Sequence, residues 1–272
     1  MSELIVKPAS PDKDGKVLSV TPESAGWDYV GFEVYSLKQG ERLHKQTEGN
    51  EVCLVLLTGK ADVHTSKEQF NQIGERMSVF EKIPPFSVYV PNDDEYEVTA
   101  LTDLELAVCA SPGKGTHEAR LIKPQDVGTA DRGFGKMSRK IHNILPEDEP
   151  ADSLLVVEVF TPDGNTSSYP PHKHDKDNFP HETYLEETYF HQVNPEQGFV
   201  FQRVYNDDRS LNETLAVENK NVVLVPEGYH PVSAIPGYES YYLNVMAGLV
   251  RKWKFNNDPD HEWLFENVME KK

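Results

Sequence analysis

Cysteine is nearly absent, with two in 272 residues, Cys53 and Cys109. Each sits in an apolar, β-like run, and a chain of this length has no need of disulfide staples, so both read as buried reduced thiols. Positive charge is scarce as well: 27 Lys and Arg face 45 Asp and Glu, a formal net charge of -18. Such a chain repels phosphate at long range, which argues against nucleic acid or an anionic membrane as partner and leaves a small molecule. No uninterrupted apolar run reaches the ~20 residues of a membrane helix. The opening MSELIVKPASPDKDGK lacks the basic start and apolar core of a secretion signal. A soluble cytoplasmic protein is the expectation.

Long helical periodicity is missing from the first 110 residues. In its place stands a succession of short β segments: Phe32 to Leu37, Val52 to Leu57, Ala61 to His64, Met77 to Phe80, Ser87 to Val90, Tyr96 to Leu101 and Leu104 to Cys109. Turn residues separate nearly all of them (Gly40, Gly49-Asn50, Thr58-Gly59, Gly74, Pro84-Pro85, Asn92-Asp93-Asp94), as in an antiparallel sandwich or barrel.

Residues 111 to 150 form the junction. Ser111-Pro112-Gly113-Lys114-Gly115 breaks the last strand, and Leu145-Pro146-Glu147-Asp148-Glu149-Pro150 is acidic and proline-bounded. Between them Lys136 to Ile141 is a candidate crossing strand whose basic residues read as a solvated face. The β pattern then resumes with Leu154 to Phe160, Glu187 to Gln192, Gly198 to Tyr205, Thr214 to Glu218, Val222 to Val225 and Tyr241 to Ala247. The second series repeats the first in order and turn chemistry: Lys38-Gln39-Gly40 matches Pro162-Asp163-Gly164, and Val88-Tyr89-Val90-Pro91 matches Val223-Leu224-Val225-Pro226. An all-β duplicated barrel is implied, with units at 1–115 and 151–272 joined by 116–150. A short helix from Glu262 to Met269 is expected at the end, after the turn at Asn256 to Asp260.

The chemistry concentrates in the second unit. In Tyr169-Pro170-Pro171-His172-Lys173-His174-Asp175, residues two apart on an extended chain share a face, so His172 and His174 can aim both imidazoles at one point while Lys173 points away. Asp175 is placed to orient a ligating ring. Glu187 opens the next strand, and His230 follows Gly228, a residue that allows the backbone to turn the ring inward. Three imidazoles and a carboxylate suit Zn, Mn or Fe. Glu182 and Glu186 are rival carboxylates; Glu187 is preferred because it shares strand parity with Tyr189 and His191. A His-x-His pair alone is a weak signal, and a lone histidine is more often a hydrogen-bonded structural residue than a ligand.

A barrel strand with His-x-His, then a Glu, then a later His after proline and glycine, resembles the cupin superfamily. More closely, Gly164 to Asp175, Glu186 to Phe190, Phe201-Gln202-Arg203-Val204-Tyr205 and Val225 to Val232 resemble the 5-deoxy-glucuronate isomerases of myo-inositol catabolism, over nearly the whole chain. The resemblance implies two tandem cupin (jelly-roll) barrels and an aldose-ketose isomerase, a metal-dependent intramolecular oxidoreductase, converting 5-deoxy-glucuronate to 5-dehydro-2-deoxy-gluconate. It also implies a divalent metal, zinc first, on His172, His174, Glu187 and His230. The insertion between His174 and Glu187 is longer than the general cupin motif has, which keeps Glu182 and Glu186 in play.

Such a reaction removes a proton beside a carbonyl and returns one to its neighbour, so it needs charge stabilisation and an acid-base group. A divalent metal touching both oxygens supplies the first. Candidates for the second are Glu186 or Glu187, Tyr229, Tyr242 and His191. A substrate carboxylate calls for a forked cation, and Arg203 is the candidate, alternating with Phe199, Phe201 and Tyr205; a surface pairing of Arg203 with Glu213 or Glu218 is the alternative. Arg251, Lys252 and Lys254 are weaker candidates. In the first unit the places of His172, His174 and His230 fall at Glu48, Asn50 and Glu95, so that barrel is expected to bind no metal and to serve packing, homo-oligomer formation or closure of the site. The rival readings are a ketol-isomerase of another deoxy uronate, an Fe(II) cupin dioxygenase and a non-catalytic sugar-acid-binding cupin.

Overall fold

The computed structural model describes residues 2–265. Its strands pair antiparallel throughout. The first barrel is a six-stranded sheet, in spatial order Arg120–Ile122, Ser87–Val90, Asn50–Thr58, Leu104–Pro112, Gly31–Leu37 and Lys16–Val20. It faces a four-stranded sheet of Arg42–Gln46, Glu95–Ala100, Ala61–Thr65 and Gln69–Ile73. The second barrel repeats this plan. Its larger sheet runs Ile5–Val6, Val222–Val225, Glu186–Asn194, Glu239–Ala247, Leu155–Thr161, Arg139–Leu145 and Gly128–Arg132, and its smaller one Thr166–Ser167, Val232–Ala234, Phe199–Tyr205 and Asn212–Glu218. A two-stranded ribbon of His172–Lys173 and Asn256–Asn257 lies beside it.

Two kinds of strand follow from where the faces go. Glu95–Ala100 alternates buried and half-buried residues, because one face lines its barrel and the other meets water. Asn50–Thr58 and Glu186–Asn194 are buried almost end to end. One face of each lines its own barrel; the other packs against the opposite barrel, which is why Val52 to Leu57 reads as a continuous apolar run. Phe32 and Phe190 meet in this inter-barrel core with ring centroids 5.7 Å apart. Cys53 and Cys109, directly opposite each other on adjacent strands, are both buried there as free thiols.

Buried charge spans the same interface. Arg76 of the first barrel forks onto both oxygens of Glu158 in the second, at 2.8 and 2.9 Å, and His142 Nδ1 lies 2.7 Å from the same carboxylate. Two further carboxylates clasp the barrels reciprocally. Glu186 accepts the backbone N–H groups of Asp28, Tyr29 and Val30, each at 2.8 Å. Glu51 accepts those of Asp152, Ser153 and Leu154, at 2.6–2.7 Å. The two glutamates occupy equivalent places: Val52, next to Glu51, pairs with Val90, and Glu187, next to Glu186, pairs with Val225, each valine preceding a proline.

The structure departs from the sequence reading in several places. Met77 to Phe80 is no strand but leads into a 3-10 turn at Val79–Glu81, closed by reciprocal capping between Ser78 and Glu81. Gln69–Ile73, too polar to stand out in the sequence, is a strand. The crossing segment splits into a 3-10 turn at Gly135–Met137 and the strand Arg139–Leu145. Sheet membership also crosses the expected unit limits: Ile5–Val6 joins the second barrel by pairing with Val222 and Val223, and Arg120–Ile122 closes the edge of the first. At the C-terminus, Asp258 caps a 3-10 turn at Pro259–His261 and residues 263–265 are helical; the remainder of the helix expected to Met269 lies outside the described residues.

Candidate metal centre

The backbone delivers three imidazoles to one point. His172 and His174 project from the same face of the ribbon, while Lys173 turns the other way to Asp207, 2.5 Å from its carboxylate. His230 arrives from a turn at Gly228, whose φ of +83° a side chain would strain and whose added Cβ would lie 2.3 Å from the Tyr205 carbonyl oxygen. Asp175 fixes that turn by accepting the Gly228 N–H at 2.9 Å, so it reaches a histidine only through backbone and not by touching a ring. Ring nitrogens of His172, His174 and His230, all buried, lie within 4.8 Å of one another, close enough to hold one metal ion.

Their outer nitrogens set the ring orientations. His230 Nδ1 donates to Gly228 O at 2.8 Å and His174 Nδ1 to Leu185 O at 3.1 Å, which points both Nε2 atoms inward. Glu187 Oε2 sits 3.1 Å from each of these Nε2 atoms. Burial opposes ionisation of Glu187, but His230 and His174 outweigh it and hold the carboxyl at about 2. Burial, with His230 and His174 adding to it, pushes His172 well below its ordinary value, so that ring is neutral. The buried His230 Nε2 has no hydrogen-bond partner. Inward ring nitrogens, an anionic oxygen and an orphaned His230 Nε2 converging in a dry site fit a bound cation.

The rival carboxylates are committed elsewhere. Glu182 accepts the backbone N–H groups of Asp175 and Lys176 and the Asn256 amide, pinning the insertion after His174. Glu186 is consumed by the inter-barrel clasp. Of the three, Glu187 alone faces the histidines.

Beside the histidines opens a cavity of about 580 Å³, lined by Arg139, Ser168, His172, Tyr189, Tyr242 and Asn244 among others. Ser168 Oγ bridges the Tyr189 hydroxyl at 2.9 Å and the Tyr242 hydroxyl at 3.4 Å. Burial raises both phenols above their ordinary range, keeping them protonated. His191 packs behind them, 6.0 Å from the Tyr189 ring and 5.6 Å from that of Tyr242, with Nε2 2.8 Å from Gln202. Burial lowers it to about 4, so it is a neutral support that does not line the cavity.

Two other candidates are directed away. Arg203 lies on the outer face of its strand, its Nε donating to Asn212 at 3.0 Å and its guanidinium stacked 4.1 Å over Tyr205; the inward residues of that strand are Val200, Gln202 and Val204. Tyr229, one residue before His230, necessarily points opposite to it and donates to Asp207 at 2.9 Å. Arg251 ties down Leu154 and the 146–149 turn through backbone carbonyls. The cation the sequence reading passed over is Arg139, taken for a solvated residue although it shares parity with Ile141, a barrel-core position.

Residues 4–264 match the KduI/IolB family. The chain belongs to that family. It is 67% identical to a 5-deoxy-glucuronate isomerase of Geobacillus thermodenitrificans over 99% of this chain and 98% of that one, and 52% identical to one from Bacillus subtilis strain 168 over 98% and 100%. A solved IolB-like protein from Salmonella typhimurium LT2 superposes with a TM-score of 0.94 at 53% identity, covering 97% of this chain and all of that one. Oxalate decarboxylase of Lactobacillus farciminis shares the fold alone, with a TM-score of 0.67 at 13% identity over 99% and 93% of the two chains.

Within this KduI/IolB chain the two barrels differ inside. At the place of Glu187 the first barrel has Val52, and its interior is filled by Leu43, Leu54, Val63, Val88 and Val98. Glu48 and Asn50 are exposed and Glu95 is half-buried, so none of the three occupies an interior position.

Proposed function

We propose that the protein interconverts 5-deoxy-glucuronate and 5-dehydro-2-deoxy-gluconate, in the cytoplasm and as a step of myo-inositol degradation. One divalent cation per chain, zinc in preference to manganese or iron, is held in the second unit by His172, His174, Glu187 and His230. The observation that carries this reading is the convergence of three buried imidazole nitrogens and one anionic carboxylate oxygen beside a cavity of sugar size. Identity of 50–67% to chains named as this isomerase supports the substrate.

In the reaction a proton leaves C2 of the aldose and one is delivered to C1, while O2 gives up its hydroxyl proton and O1 gains one, so the carbonyl moves from C1 to C2 with no net redox change. A divalent cation held by His172, His174, Glu187 and His230 would supply Lewis-acid stabilisation of negative charge on the substrate oxygens. The chain itself supplies two protonated phenols, Tyr242 and Tyr189, linked through Ser168 and placed to donate hydrogen bonds to oxygens that gain charge. Trp253 and Phe255 line the cavity wall and limit water. The first unit, with its hydrocarbon interior, backs the site and holds no metal.

The test is NMR of 5-deoxy-glucuronate incubated with metal-loaded protein, beside His172→Ala. Ketose signals from the first and none from the second support the reading. Undiminished sugar-acid binding by both, with turnover by neither, would make this a binding protein.

A further inference from the structure

Two arginines line the cavity, and no acidic side chain does among the described residues. They are Arg132 and Arg139, direct cross-strand partners on the hairpin formed by Gly128–Arg132 and Arg139–Leu145. Like charges directly opposite one another disfavour strand pairing. The adjacent pair on that hairpin does the reverse: Asp131 faces Lys140, with an ion pair of 3.3 Å. Charge is therefore matched on one face of the hairpin and unmatched on the face that lines the cavity.

Arg139 is half-buried, and its hydrogen bonds run from Nη1 to two backbone carbonyls, Met137 at 3.0 Å and Tyr169 at 3.3 Å. No carboxylate pairs with it or with Arg132 among the described residues. Burial holds its pKa below the ordinary arginine value, with Arg132 contributing in the same direction, while Tyr242 and Tyr189 offset part of this. The fully buried Arg76 shows what a structural arginine does here, since it forks onto Glu158. A guanidinium left without an anion beside a second guanidinium, in a chain of net charge -18, is a feature that a bound anion would complete.

We propose that Arg139, assisted by Arg132 at the cavity edge, binds the carboxylate of a sugar acid whose carbonyl end lies at His172, His174 and His230, and so sets a preference for uronates over neutral sugars. This rests on the isomerase reading above and adds to it the residue that reads the acid end. The planar fork of Arg139 can match a carboxylate with two parallel hydrogen bonds, which a lysine cannot do.

Metal-loaded wild type, Arg139→Gln and Arg139→Lys are compared on 5-deoxy-glucuronate and on 5-deoxy-glucose, its neutral counterpart with a hydroxymethyl group at the acid end. Loss of a charge-assisted contact predicts that Arg139→Gln lowers kcat/KM for the acid roughly 10- to 150-fold while changing that for the neutral sugar less than about threefold. Arg139→Lys should fall between, and bound metal per chain should stay at the wild-type level in both, which also reports that the barrel is folded. An acid-to-neutral ratio unchanged in both variants overturns the assignment. If wild type turns over neither sugar, the isomerase reading fails, and calorimetric binding of 5-deoxy-glucuronate decides Arg139 by itself. Weaker binding to Arg139→Gln supports the assignment, and equal binding overturns it.

Discussion

Adjacent glutamates with opposite duties give the sharpest separation of structure from chemistry in this chain. Glu186 Oε2 accepts from Tyr29 and Val30 and Oε1 from Asp28, all at 2.8 Å, the carboxylate itself being buried. In Glu186→Gln the amide oxygen can keep two of these bonds, weakened by loss of charge, while the amide N–H₂ is set against the third donor. At about 1.5–3 kcal/mol for a hydrogen bond to a charged group, and with the part-buried Asp28 N–H left without its acceptor, the expected cost is about 2–4 kcal/mol. For a protein of this size that lowers Tm by about 5–15 °C. Metal content should be untouched. Glu51→Gln, at the equivalent place in the first barrel, should behave alike. Glu187→Gln should lose metal, because it removes the anionic oxygen facing His174 and His230. Differential scanning calorimetry and metal analysis of the three purified variants report both quantities. If Glu186→Gln loses metal while Glu187→Gln retains it, the assignment of roles along this strand is refuted.

Other substitutions probe the scaffold. Arg76→Met leaves Glu158 buried without its cation and should cost about 3–5 kcal/mol near neutral pH. Burial opposes ionisation of Glu158, but Arg76 outweighs it and holds the carboxyl below the ordinary 4.5. The contribution of the pair is therefore full above about pH 4.5 and fades as pH falls further, so urea titrations should show the gap between wild type and Arg76→Met narrowing in acid. Gly228→Ala forces a Cβ against the Tyr205 carbonyl at a positive φ, and should lower stability by about 1–3 kcal/mol and weaken metal retention through His230, measured by competition with a chelator. Tyr242→Phe should lower kcat by about 10²- to 10³-fold with metal content unchanged, if its hydroxyl stabilises developing charge.

Strand parity was legible in the sequence wherever one residue anchored the inside. Glu187 could be preferred over Glu186 because it alternates with Tyr189 and His191, and the structure turns all three inward. The same device misled at Arg203, where alternation with Phe199, Phe201 and Tyr205 defined a face without saying which side it was on. Val200 and Val204, flanking Gln202, were the quieter signal of the interior. Arg139 was readable in principle from its parity with Ile141, but a run of basic residues in a proposed linker invites a solvated reading. Tyr229 fell to a one-residue shift: a turn that presents His230 inward must present its neighbour outward. Partners distant in sequence could not be read at all. Glu186 meets Asp28 across 158 residues, and nothing local distinguishes a carboxylate that binds metal from one that clasps backbone. The duplicated barrel was visible because Val-Pro and Gly turns recur in order, whereas the exchange of Ile5–Val6 into the far sheet left no trace in a two-residue strand.

The central claim is that a single cation site in the second barrel drives an aldose-ketose isomerisation. Its most direct test is ¹H NMR of 5-deoxy-glucuronate with protein stripped by chelator and then titrated with zinc. The account predicts no conversion by the stripped protein and ketose formation that rises linearly to one zinc per chain, then stays level. Conversion at full rate without metal, or an unchanged aldose spectrum at one bound zinc per chain, would contradict it.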